Sequence, residues 1–111
     1  MSTNYRRGAD FERKVRESMA EHGYVSVRAA GSHTPADVYC FRFGELVFIQ
    51  CKRDGRLDPK EWNDFLVYCW KAGAVALVAM KGEKGKGVRY MRITATKKGG
   101  GPQPWEEWRP E

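Results

Sequence analysis

A carboxylate, an amide and an ammonium stand at short spacing in one stretch of this chain: Asp37, then Gln50 and Lys52 two residues apart. The oxygens of the first two suit a hard divalent cation, and the ammonium suits an anionic group beside it. To act together they must be carried to one place, and the residues between them supply the means. Residues 38–43 and 46–50 read as two β-strands, with Gly44-Glu45 as a two-residue turn whose first position needs φ > 0. In that register Phe43 pairs with Leu46, Tyr39 with Gln50 and Asp37 with Lys52. A four-residue loop would set Asp37 opposite Gln50 instead. Either way Asp37, Gln50 and Lys52 share one face at one end of the hairpin, whereas an odd-length loop would break the grouping. The plain alternative is strand-end polarity, since a cross-strand Asp/Lys pair contributes only about 0.2–1 kcal/mol.

A second carboxylate comes from the helix ahead of the hairpin. Residues 2–8 form a polar lead-in carrying Arg6 and Arg7. The recurrence of Phe11, Val15 and Met19 then predicts a helix over 9–22, with Gly23 as its C-cap. Glu12 lies beside Phe11 at the border of the apolar face. It is either a first-turn Glu favoured by the helix dipole or a carboxylate leaning toward the sheet that presents Asp37. Residues 24–29 alternate as a first strand, and 28–35 form a small, polar loop. In that loop Gly31 and Ser32 bring either a backbone N–H and a hydroxyl to a phosphate or only ordinary turn chemistry.

The elements after the hairpin frame the group. Arg53-Asp54-Gly55-Arg56-Leu57 is a polar crossover. Asp58 is an N-cap, Pro59 suits the first helical position, and Glu61 completes a capping-box pattern. Trp62, Phe65, Leu66, Cys69 and Trp70 then follow at the spacing of a broad buried face, ended by Gly73, which is core or core plus a dimer contact. Residues 74–80 are apolar without alternation, which predicts a central strand covered on both faces and parallel to its neighbour through the helical crossover. Residues 81–87 read as a flexible Lys/Gly loop and 88–93 as a last, edge-like strand. From Thr94 the composition turns linker-like, so the chain divides into a domain over 1–94 and a Gly/Pro/Trp-rich tail over 95–111. Trp105 and Trp108 either pack back on the body, cross to a second subunit or dock another protein. The order is α-β-β-β-α-β-β, an α/β fold on a mixed sheet.

Composition narrows the class of partner. A chain of 111 residues supports one domain with a real core, and 13% aromatics argue against disorder. Twenty Lys and Arg against 14 Asp and Glu give +6, an excess that suits a polyanion such as nucleic acid. Three cysteines without a CxxC pair make no disulfide framework. Cys40 and Cys51 point away from Asp37, and core filling outweighs metal binding for all three. No leader and no apolar run of about 20 residues opens or crosses the chain, so a reduced, cytoplasmic setting is expected.

Glu12 on a helix, then Asp37, then Gln50-Cys51-Lys52 at a strand end resemble the PD-(D/E)XK nuclease superfamily. More closely they resemble archaeal-type and phage Holliday junction resolvases. The likeness runs from about Tyr5 to Ile93. It takes in Arg6-Arg7-Gly8, Gly23-Tyr24, Arg28-Ala29-Ala30-Gly31-Ser32 and the second helix from Pro59-Lys60-Glu61-Trp62 to Gly73. The resemblance implies a restriction-endonuclease-like sheet flanked by helices. It also implies a Mg²⁺-dependent endodeoxyribonuclease, Mn²⁺ substituting, that resolves four-way DNA junctions by paired nicks as a homodimer. It makes Asp37 the main metal ligand, assisted by Glu12, the Gln50 side chain and the Cys51 carbonyl. Lys52 is then at the attacking water, Ser32 supports the phosphate, and Arg6, Arg7, Arg28, Arg53 and Arg56 contact the DNA backbone.

The departure is Gln50, where the superfamily pattern has Glu or Asp; Mrr-type members are similar to this chain there. The setting implied is cytoplasmic, on the nucleoid, or in the host cytoplasm for a viral source. Two other readings stand beside it: a duplex-cutting restriction- or repair-type nuclease, and a non-catalytic nucleic-acid-binding module.

Overall fold

The apolar patterning condenses into two helices and six strands. A computed structural model describes residues 3–29, 33–99 and 101–111. The chain runs α1 (Thr3–Ala20), β1 (Val25–Arg28), β2 (Val38–Arg42), β3 (Glu45–Cys51), α2 (Pro59–Ala72) and β4 (Val75–Lys81). A single 3-10 turn (Glu83–Gly85), β5 (Val88–Ile93) and β6 (Trp105–Trp108) complete it. The strands make one sheet in sequence order, antiparallel at every step except β3 to β4. That parallel step is the one α2 bridges, as a helical crossover must. The architecture is the α/β mixed sheet expected.

The two sheet faces carry separate cores. Val38, Cys40, Val47, Ile49, Leu77 and Ala79 pack with Phe11, Val15 and Met19 of α1. Phe48, Ala76, Val78 and Ile93 pack with Trp62, Phe65, Leu66 and Cys69 of α2. β4 contributes to both, which is why its sequence does not alternate. Each large side chain so buried is worth about 1.5–3 kcal/mol, so the hairpin is clamped from both sides. Burial also pushes the Cys40 and Cys69 thiols up to about 12, so both stay protonated core residues. Among the described residues no helix is long and apolar enough to cross a membrane.

Four expectations are corrected. The hairpin loop has two residues, but they are Phe43-Gly44, not Gly44-Glu45: Arg42 pairs with Glu45, Phe41 with Leu46 and Tyr39 with Phe48. Gly44 takes φ 74 at the second central position, where a type II turn needs glycine. Glu45 is held in β3 by the Arg42 guanidinium at 2.6 Å and by the Tyr24 hydroxyl, also at 2.6 Å. α1 begins at Thr3, taking in what read as a lead-in, because nothing in 3–8 interrupts it.

Residues 81–87 form an ordered turn, closed by Gly82 N–H on the Gly87 carbonyl and Lys86 N–H on the Glu83 carbonyl, each at 3.1 Å. Finally, β5 is not the edge. β6 pairs along it, with Trp105 5.5 Å from the Trp62 ring and Trp108 edge-on to Tyr90 at 5.8 Å. The tryptophans pack back on the body because each supplies a ring to one of the two cores.

Candidate active site

The end of β3 is where the two layers meet the loop that opens the hairpin. Asp37 N–H donates to the Ile49 carbonyl at 2.9 Å, yet Val38 is the residue paired with Ile49. Two residues of the incoming chain thus answer to one on β3, the pattern of a β-bulge, which re-aims a side chain at a strand end. Here it lets the Asp37 carboxylate take the Cys51 N–H, with Oδ2 accepting at 2.8 Å. The paired register ends at Val38 and Ile49, so Asp37 is not paired with Lys52.

Gln50 is the one buried polar side chain among the described residues. Its Nε2 donates to the Pro35 carbonyl at 2.9 Å, which assigns the amide and leaves Oε1 as its acceptor end. Lys52 N–H donates to the Ala79 carbonyl at 3.0 Å, tying the residue to β4. Its ammonium lies 2.9 Å from Oε2 of Glu61. Glu12, half-buried on α1, accepts from Arg28 Nε at 2.8 Å. An open cleft of ≈ 770 Å³ is lined by Glu12, Cys51, Lys52, Arg53 and Lys81.

The electrostatics centre on Asp37. Burial raises its carboxyl above the usual carboxylate range, and the negative fields of Glu12 and Glu61 add to the shift. The Cys51 N–H and the Lys52 ammonium pull the other way without cancelling it. Ionised Asp37 is therefore under-compensated by the protein, a condition that a cation relieves. Burial, with Asp37 and Glu12 nearby, also pushes the Cys51 thiol up, so of that residue the oxygen of the main chain is the usable ligand.

Glu12, Asp37, Gln50, Cys51 and Lys52 thus come to one end of the sheet, with Arg28 and Arg53 beside them. Arg56 is exposed in the crossover loop, its N–H on Asp54 Oδ1 at 3.0 Å. Ser32 lies outside the described residues, and so do the side chains of Arg6 and Arg7, whose backbone belongs to α1. Sequence reasoning missed the partners. It read Glu61 as a helix-capping residue and Arg28 as a contact to the DNA backbone. Lys81 entered only as part of a loop. Among the described residues no group of three or more His, Cys, Asp or Glu is placed to hold a metal. The reason is local: position 50 is an amide, while the Glu12 and Glu61 carboxylates are each engaged by a cation.

Residues 3–100 match the family described as archaeal Holliday junction resolvase (Hjc). A 56-residue segment is 32% identical to the crossover junction endodeoxyribonuclease Hjc of Methanocaldococcus jannaschii; it spans 50% of this chain and 41% of that protein. The solved structure of Archaeoglobus fulgidus Hjc, a Holliday junction resolvase from an archaeal hyperthermophile, superposes with a TM-score of 0.65. At 21% identity it covers 81% of this chain and 80% of its own, and it speaks for the fold.

Proposed function

The chain belongs to the archaeal Holliday junction resolvase family, and on that premise we propose that it is a Mg²⁺-dependent endodeoxyribonuclease resolving four-way DNA junctions by paired nicks. The observation that carries the reading is Asp37. Its carboxylate is fixed on the N–H of Cys51, a residue that with Lys52 lines the cleft, and its burial is under-compensated.

The donor set fits a hard cation that keeps most of its waters. Asp37 offers a carboxylate, Gln50 its Oε1 and Cys51 its carbonyl, with Glu12 as a reserve once Arg28 turns to DNA. When bound, the ion supplies a coordinated water of lowered pKa and neutralises charge at the scissile phosphate. The protein's part is positional. Asp37 is held by the bulge and by the Cys51 N–H. Gln50 is pinned through Nε2 so that Oε1 is presented. Lys52 carries an ammonium at the cleft wall that hydrogen-bonds the attacking water or a phosphate oxygen as charge develops there. Ser32 supports the phosphate, and Arg6, Arg7, Arg28, Arg53 and Arg56 bind backbone phosphates. Such contacts are tolerant of sequence and sensitive to salt.

Two opposed nicks need two sites, and one chain offers one, so the active form is a two-fold dimer. The surface best suited lies on the outer strands. Val25 and Val27 of β1 are 60% and 50% exposed, and Phe41 of β2 faces Val25 across the pair.

The test is cleavage of a labelled synthetic four-way junction with Mg²⁺, beside matched duplex and single strand, with Asp37→Ala as control. Paired nicks in the junction alone, lost in the variant, are the expected outcome. Equal cutting of duplex would replace the resolvase reading with a general nuclease. A second reading has its own observation: with an amide at position 50 the described residues hold no three-carboxylate cluster, which favours a junction binder that does not cut. Binding without cleavage, in Mn²⁺ as well as Mg²⁺, would establish it.

A further inference from the structure

The acidic residue nearest Lys52 is on a different element from the one the sequence motif occupies. Glu61 sits in the first turn of α2. Its N–H donates to the Asp58 Oδ1 at 2.8 Å, and Trp62 beside it is fully buried, so this turn is anchored at both residues. A capping-box glutamate would turn its carboxylate back to the cap residue's N–H. This one reaches instead across the crossover to Lys52 Nζ, at 2.9 Å. The alternative partners of Lys52 are accounted for. Gln50, on the same strand, is neutral. Asp37 has one oxygen on the Cys51 N–H, and Glu12 is bound by Arg28.

Lys52 needs such a partner. A lysine has a four-carbon stem and loses much of its rotamer entropy when fixed, so an ammonium at a cleft wall is well placed only if something holds it. The charge balance points the same way. Asp37 and Lys52 alone are neutral together. With Glu61 the group carries one net negative charge, which suits a cation.

We propose that Glu61 is a positioning residue of the cleavage site, holding the Lys52 ammonium from α2 and supplying the negative charge that Gln50 does not. The inference rests on the nuclease reading above and deepens it. It makes the glutamine at position 50 a relocation of charge instead of a loss of function.

The test compares wild type, Glu61→Gln, Gln50→Glu and the Glu61→Gln/Gln50→Glu double variant. The measurements are junction affinity in EDTA, Mn²⁺ affinity by titration calorimetry, and single-turnover cleavage at saturating junction. Glu61→Gln keeps the side-chain shape on a half-exposed position, so the fold is retained. Its expected effects are unchanged junction affinity, Mn²⁺ binding weakened several-fold and a cleavage rate lower by about 10–100-fold. Restoring a carboxylate at position 50 recovers Mn²⁺ binding and most of the rate, which a purely structural role of Glu61 would not allow. Cleavage by Glu61→Gln at the wild-type rate overturns the inference and leaves the nuclease reading intact. A double variant no better than Glu61→Gln also overturns it. Absence of cleavage by the wild type overturns both.

Discussion

At the scale of single residues the site is a set of charges held slightly out of balance, and Asp37 is where the imbalance can be measured. Its carboxyl is raised by burial first and by Glu12 and Glu61 after. The native state therefore keeps the proton to a higher pH than the unfolded chain does. Between the two values it binds more protons, so stability falls as pH rises through that window, and the cost is complete above the native pKa. Asp37→Asn removes the cost and keeps an oxygen for the Cys51 N–H. In EDTA at pH 7 the variant is expected to melt above wild type, with the difference closing on acidification below the ordinary carboxylate range. On the proposed function, adding Mg²⁺ is expected to stabilise the wild type alone. A variant that melts below wild type in EDTA would show that Asp37 is not under-compensated. Asp37, Gln50 and Lys52 were legible in the sequence because their chemistry lies in their types and in a spacing of two along a strand. The Lys52–Glu61 and Glu12–Arg28 pairs were not. Each joins elements whose closeness is set by packing, and a carboxylate in a helix's first turn has a sufficient local explanation.

At the scale of elements, periodicity located both helices and the buried β4 strand, since those signals are summed over many residues. What it missed were single-residue decisions. The hairpin turn moved by one position because Glu45 gains Arg42 and Tyr24 as partners inside the strand, leaving Phe43 fully exposed at the tip. β6 read as a tail because its four residues follow a Gly/Pro run, and its burial depends on the Trp62 and Tyr90 rings elsewhere in the chain. The 81–87 turn read as flexible from its glycines, yet one of them is there for closeness. A Cβ on Gly82 would stand 1.9 Å from the Lys86 carbonyl oxygen, a main-chain atom that cannot swing aside. Gly82→Ala is therefore expected to cost about 1–3 kcal/mol, as overpacking does. That corresponds to a melting temperature lower by about 5–15 °C. Amide exchange at Lys86, whose N–H closes the turn on Glu83, should accelerate with it. An unchanged melt with Lys86 still protected would mean that the turn opens without cost. Lys81 both begins this turn and lines the cleft, so its closure bears on the site.

At the scale of the whole molecule, the six-stranded sheet has two edge strands, β1 and β6, and they differ. β6 covers β5 with tryptophans, whereas β1 ends the sheet at the other side with Val25 and Val27 exposed and Phe41 beside them. An edge strand with apolar side chains is a standing invitation to pair, and a chain survives with one when the pairing is its own. On the proposed function, a two-fold partner placed there would bury the same residues from both copies and bring two candidate sites into one particle, as paired nicks require. Val27→Glu tests this without touching the site, because Val27 faces solvent on the edge strand and a glutamate there leaves both cores intact. Wild type at micromolar concentration is expected to sediment at twice the chain mass and to open a four-way junction by two nicks in one binding event. Val27→Glu is expected to sediment as a single chain, to keep its melting transition and to cut the two strands in separate, uncoupled steps. On a cruciform plasmid that difference is direct, since paired nicks give linear product and uncoupled ones give nicked circle first. Should Val27→Glu remain a dimer, the contact lies elsewhere, and α2, where Trp70 is 58% exposed, is the next face to test.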